Sequence, residues 1–258
     1  QQIALLNSKG VESTSLKDYD KFAKVAEQVQ EMLDKINAVT EQINALPQAD
    51  KLTFGDEKSI QEAAAALENL RKEGLDVTAE TAQKLADVQN ALAQLKAQRA
   101  DLVKEIADAK LNISLNEQDV QAIEALRAKV DALNEKGAAF TEQELKNLTD
   151  AETSLNALKE RSKKAHDQIA TLPTAEDTVL SDAEKIEALK TEMAALEQLG
   201  DVFTAEEKAK ITEVENGLQA IADLKAETEA DIETVLDKEV SPELANEVNA
   251  IQEKIDVL

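Results

Sequence analysis

The sequence predicts an all-α fold: an elongated tandem array of three-helix bundles joined by long continuous helices. Three observations predict it. A pattern repeats every 63 residues without a gap, placing Ile43, Ile106, Ile169 and Ile232 in one phase and Gly74, Gly137 and Gly200 in another. Ala, Leu, Glu, Lys and Gln, all strong helix formers, dominate the composition. Only six Gly and three Pro occur in 258 residues, too few for a turn-rich β fold. A period in this range marks a repeat architecture, in which a unit completes its core against its neighbours.

Each repeat reads as one long and one short helix. The first long helix carries the stripe Phe22, Val25, Val29, Met32, Val39, Ile43 and Leu46. The next starts at the N-cap Thr78 and runs to about Lys110, with Leu85, Val88, Leu92, Leu95, Leu102, Ile106 and Ala109 at alternating steps of three and four. In phase with it come Leu148, Ala151, Leu155, Leu158, Ala165, Ile169 and Leu172, then Ile211, Val214, Leu218, Ile221, Thr228, Ile232 and Val235.

Helix ends repeat too. Ser15, Thr78, Thr141 and Thr204 share one position, where a hydroxyl can accept from unpaired first-turn N–H groups. Thr141 with Glu144 and Thr204 with Glu207 make capping boxes; Ser15 with Asp18 is a weaker version, and Thr78 has Thr81 in place of the acid. The short helices read as about 56–73, 117–136 and 182–199, with a fourth from Pro242 to the end, N-capped by Ser241. Gly74, Gly137 and Gly200 sit just past the first three, where a left-handed residue closes a helix at least strain. Pro47 and Pro173 end two long helices, and Lys110 occupies that position in the second.

A two-helix unit cannot enclose a core, so each long helix is expected to split between two bundles. Its C-terminal half would pack with the following short helix and with the N-terminal half of the next long helix. At 1.5 Å per residue the net advance is about 20 Å per repeat and the whole span on the order of 100 Å. At the midpoint the copies carry Ile36, Arg99, Ser162 and Lys225, which suits a less enclosed hand-over; equally, a long basic side chain there can lie along apolar surface with its charge in water. The expected divisions are a tail of a preceding repeat (1–14), bundles at 15–95, 96–158 and 159–221, and a partial fourth at 222–258. Ile3, Leu6 and Gly10 match Leu67, Leu70 and Gly74 with a one-residue slip; Val248, Ile251, Ile255 and Leu258 match Ile186, Leu189, Met193 and Leu196 with another. An excerpt from a longer array is therefore expected.

The net charge of -24, from 29 basic and 53 acidic residues, disfavours nucleic acid and bare anionic membrane as partners and favours solubility. Without Cys there is no disulfide, thiol chemistry or Cys-ligated zinc. No apolar stretch approaches the roughly 20 residues that span a bilayer, and no secretory leader opens the chain. Candidate chemistry is sparse. His166, the one histidine, lies where other copies have Val103 and Glu229, and no triad, phosphate-binding loop, His-Glu-x-x-His or EF-hand spacing occurs. Acid pairs such as Glu206–Glu207 and Asp56–Glu57 suit helix first turns, which disfavours a specific calcium site. Asn112-Ile113-Ser114 and Asn147-Leu148-Thr149 match a glycosylation pattern by chance, and Tyr19, Phe54, Phe140 and Phe203 read as plugs at bundle ends. No catalytic, cofactor-binding or metal-binding residue is expected, no ligand-binding residue is assigned, and the chain reads as a non-enzyme without cofactors.

Ile43-Asn44-Ala45-Leu46-Pro47, followed by Leu52-Thr53, Asp56, Ile60, Ala63, Leu67 and Val77-Thr78, resembles tandem three-helix-bundle repeats of Gram-positive surface proteins, similar to FIVAR-type and albumin-binding-type modules. Ile169-Ala170-Thr171-Leu172-Pro173 begins the pattern again, whereas Ala109-Lys110 departs from it. The shared helix is spectrin-like. The resemblance implies export, with signal and anchor outside residues 1–258, and a place at the bacterial cell surface or cell wall. It implies a structural stalk or spacer that projects an adhesive or enzymatic domain, present as a monomeric rod. The alternatives are a helical adhesin module binding a host extracellular protein or glycan, and an intracellular spectrin-like cross-linker.

Overall fold

A computed structural model describes residues 4, 5, 8–10, 12, 14, 17–242 and 244–257. Among them the regular structure is helical throughout: α1 (Tyr19–Asn44), α2 (Glu57–Lys72), α3 (Ala79–Asp108), α4 (Glu117–Glu135), α5 (Glu142–Ala170), α6 (Asp182–Gln198), α7 (Ala205–Leu236) and α8 (Leu244–Val257). Two 3₁₀ turns, Ala49–Lys51 and Phe54–Asp56, lie between α1 and α2. Long and short helices alternate, and most bounds fall within two residues of those expected.

Local chemistry explains most of the helix ends. Thr78 and Thr204 hold extended backbone conformations and accept from the N–H groups of Thr81 and Glu207, which otherwise lack helical partners. Where the Thr204 and Thr141 caps use a glutamate to close the box, Thr78 uses the Thr81 hydroxyl, 2.9 Å away. Gly74, Gly137 and Gly200 have φ of 77°, 79° and 89°, the left-handed region that a Cβ disfavours. α1 and α5 stop three residues before Pro47 and Pro173, because the residue preceding a proline is pushed out of the helical region. Leu236 stands at the same phase without a proline, and α7 runs through to it. α3 ends at Asp108 although Lys110 occupies the proline position; Ala109 turns extended at ψ 128°.

Some helix starts differ from expectation. Ser15, the expected first N-cap, and Ile3, Leu6 and Leu258 lie outside the described residues. α1 begins at Tyr19, three residues later than the phase of the other helix starts, following Asp18 in a left-handed conformation (φ 62°), which aspartate tolerates better than most residues. α8 begins at Leu244, and the turn before it is closed by backbone bonds from Leu244 to Ser241 and from Ala245 to Pro242.

The chain divides into two compact units, Gln1–Ala109 with Arg127–Leu145, and Lys110–Leu126 with Lys146–Leu258. In the first, α1, α2 and α3 converge on an aliphatic core of Val39, Ile43, Leu46, Leu52, Ile60, Ala63, Leu67, Leu70, Leu85, Val88 and Leu92. Burying each large aliphatic side chain stabilises by about 1.5–3 kcal/mol relative to exposure. In the second, α5, α6 and α7 do the same through Leu158, Ala165, Ile169, Ile186, Leu189, Met193, Leu196, Ile211 and Val214, with Phe203 sealing one end. Gly217 of α7 lets the segment after α5 come close: a Cβ there would lie 2.5 Å from the Ala175 carbonyl oxygen.

The stripe on the first half of α1 does not join the core formed by its second half: Phe22, Val25, Val29 and Met32 are between 48% and 57% exposed. Their phase-mates Leu85, Val88, Leu92 and Leu95 are at most 7% exposed. Periodicity marks the apolar face of a helix; it does not supply a neighbour to cover that face.

Candidate functional site

The most densely connected polar groups lie where a long helix begins. In the first unit, Arg99 of α3 reaches the start of α5. Its guanidinium donates to the Ala139 carbonyl at 2.7 Å and to both carboxylate oxygens of Glu144 at 2.8 and 2.9 Å. It also lies over the Phe140 ring, 4.9 Å from the centroid. Glu144 in turn accepts from the Thr141 N–H at 2.8 Å, closing the capping box. The Thr141 N–H bond, followed by the Arg99 contacts, holds the Glu144 carboxyl below its ordinary range despite partial desolvation. The Arg99 charge thus rests in a forked ion pair that keeps some solvent contact, and not free in water as the second sequence reading had it.

In the second unit His166 of α5 takes the equivalent role at the start of α7. Its Nδ1 lies 2.5 Å from Glu207 Oε1 and its Nε2 3.3 Å from Asp201 Oδ1, and its ring stacks on Phe203 with centroids 4.5 Å apart. Both partners are acceptors, so only the protonated imidazole satisfies both nitrogens. The Glu207 hydrogen bond is the largest influence raising the His166 pKa; partial burial opposes it, and Asp201 adds to the rise. Reciprocally, His166 first, then the Thr204 N–H, lowers that of Glu207. Asp201 Oδ1 also accepts from the Val202 N–H, while its buried Oδ2 has no partner among the described residues.

Each cluster brings a cation and an aromatic ring onto a capping box and so fastens the start of a long helix. Among the described residues no group of three or more His, Asp or Glu side chains is arranged to hold a metal ion, and no helix is long and apolar enough to cross a membrane. The expected end plugs differ in burial: Phe203 is buried, whereas Tyr19, Phe54 and Phe140 are half-buried. Asp56 closes a capping box with Thr53, and Glu57 pairs with Lys96. Ser114, of the first glycosylation-like triplet, is buried and donates to Asp119.

A second recurrent contact escaped sequence reasoning because it involves only main-chain atoms. The Phe54 N–H donates to the Lys136 carbonyl at 2.8 Å, and the Leu115 N–H to the Leu199 carbonyl at 2.6 Å. In both, the loop before a short helix is latched to the C-terminus of the next short helix.

Comparison with protein-family models, with curated proteins and with solved structures finds no match.

Proposed function

We propose that the chain is a non-catalytic spacer built of tandem three-helix bundles at a pitch of 63 residues. Its place would be a stalk of a bacterial cell-surface or secreted protein, where it carries an adhesive or enzymatic domain away from the wall. The observation that carries the reading is the recurrence of the same contact at the same phase. Lys84 Nζ donates to the Asn44 carbonyl at 2.7 Å, and Lys210 Nζ to the Ala170 carbonyl at 3.0 Å. Donors and acceptors are both 126 residues apart, two periods of 63. The clamps and main-chain latches add further pairs, their acceptors Glu144 and Glu207, and Lys136 and Leu199, one period apart. A reaction site would select residues in one copy, whereas these contacts fasten helices in several.

Continuous helices shared between bundles resist bending, and aliphatic cores resist local opening, both of which suit a spacer. Small-angle scattering tests the proposal. A rod on the order of 100 Å long gives a radius of gyration near 30 Å, whereas a compact domain of this length gives about 18 Å. A value near the compact figure would refute the stalk.

A further inference from the structure

We propose that the turn joining α6 to α7 is fastened to α5 by a pH-operated switch, closed while His166 carries a second ring proton and released when it loses it. The clamp of the first unit, built on Arg99, lacks this response. The switch needs only the geometry of the second unit, whatever the chain as a whole is for.

Three substitutions at matching positions turn one clamp into the other. Counting back 63 residues from Ser162, His166 and Asp201 gives Arg99, Val103 and Ala138, while Phe203 and Glu207 answer to Phe140 and Glu144. The charge that closes the first clamp is therefore a guanidinium, which keeps its proton throughout the range where proteins stay folded, and the charge that closes the second is an imidazole. Asp201 is the substitution that packing does not explain. Its counterpart Ala138 is buried, and Leu75, one period further back, packs against the first core. The Asp201 side chain is only 10% exposed, and its Oδ2 has no partner among the described residues. A buried carboxylate at a position that elsewhere takes an apolar side chain is costly unless a cation faces it. Protonated His166 is that cation.

Loss of one proton undoes the arrangement. A neutral imidazole keeps a single N–H, and its two nitrogens face two carboxylates. If Nδ1 goes on donating to Glu207, the Nε2 lone pair meets Asp201; with the other tautomer Nδ1 meets Glu207. Glu207 retains the Thr204 N–H as a donor, whereas the buried Asp201 retains only the Val202 N–H. Asp201 is thus the group driven out to water, and it takes the turn with it and lifts Phe203 from the imidazole ring. The charged groups that act on His166 are Glu207 of α7 and Asp201 of the turn. Lys163 and Asp167 beside it on α5 pair with each other, Lys208 of α7 pairs with Glu197 of α6, and the α4 start brings neutral Asn116 to Gly200. Glu207 first, and Asp201 with it, raise the His166 pKa. The fastening is therefore complete below the ordinary histidine value and declines as pH climbs through the folded one.

Hydrogen exchange followed by NMR on the full chain, from about pH 5 to about pH 9, spans the ordinary histidine value of about 6.5. The readout is the amide at position 201, which donates to the Leu196 carbonyl whatever its side chain; its counterpart in the first unit, the Ala138 amide, donates to the Leu133 carbonyl. With the intrinsic pH dependence of exchange removed, protection at 201 should fall about tenfold per pH unit above the ordinary value and level off where the His166 ring signals finish titrating. Protection at Ala138 should stay constant. Asp201→Ala should weaken the fall at 201, and Ser162→Arg with His166→Val and Asp201→Ala, which installs the first unit's set, should abolish it. Both variants use side chains already carried at these positions in another copy, and circular dichroism checks that they fold. Constant protection at 201 in the wild type overturns the proposal, as does a parallel fall at Ala138. An Asp201→Ala chain that loses protection as steeply as the wild type overturns it too.

Discussion

Gly74, Gly137 and Gly200 share a left-handed backbone but not their surroundings, so alanine at each separates a backbone effect from a contact. A Cβ at Gly74 meets nothing within 4 Å, and one at Gly137 comes no nearer than 3.9 Å to the Phe54–Gly55 turn. At Gly200 it would fall 2.5 Å from Asn116 Oδ1 and 2.8 Å from the Asn116 backbone nitrogen. The left-handed penalty is about 1–2 kcal/mol, reduced by about 0.4–1 kcal/mol because alanine also restricts the unfolded chain. Gly74→Ala and Gly137→Ala should therefore each cost about 1 kcal/mol. The Asn116 side chain can swing away, but its main chain is held by the neighbouring Leu115–Leu199 bond, so Gly200→Ala adds an overpacking cost of about 1–3 kcal/mol. Thermal unfolding should show Tm falling by roughly 2–4 °C per kcal/mol for a chain of this size. Hydrogen exchange at the Leu115 amide should accelerate in Gly200→Ala and not in Gly74→Ala. Equal losses in the three variants, with Leu115 exchange unchanged, would refute the close approach.

Three other predictions follow from burial and charge. Ile169→Ala should cost about 2–5 kcal/mol by urea unfolding, and Ile232→Ala distinctly less, because only the first side chain is fully enclosed. The His166 pKa is raised in the folded chain, so the clamp stabilises fully below the ordinary histidine value and its contribution declines as pH climbs through the folded one. His166→Ala should flatten that part of the stability–pH profile, and a slope identical to wild type would exclude the clamp. A double-mutant cycle of Arg99→Gln and Glu144→Gln should give a coupling below about 1 kcal/mol that shrinks with added salt, since both side chains retain solvent contact.

The stripes, caps and glycines were legible because each depends on one helix and its own ends. Ile43, Ile106 and Ile169 were expected in the core and are fully enclosed there. Phe22 and Val25 show where such reasoning stops, because a periodic face says nothing of what lies opposite. Gly217 was invisible for the same reason: other copies have Gln28, Ala91 and Ser154 in its phase, and only the approach of Ala175 explains the missing side chain. His166 was set aside because it is the one histidine and its phase holds Val103 and Glu229 in other copies, while phase alignment pairs Arg99 with Ser162. The imidazole is shorter than the arginine side chain, and it begins one helical turn further along, about 6 Å, to meet the same box.

The main-chain latches carry a consequence for how such a protein changes over time. Phe54 and Leu115 differ, as do Lys136 and Leu199, yet the same bond forms in both pairs because no side chain takes part. The bond itself does not depend on which side chain stands at these four positions, although Leu115 and Leu199 also pack against the second core, and only proline at 54 or 115 deletes the donor. A helix end tied down through its main chain can thus change its side chains and keep its tether.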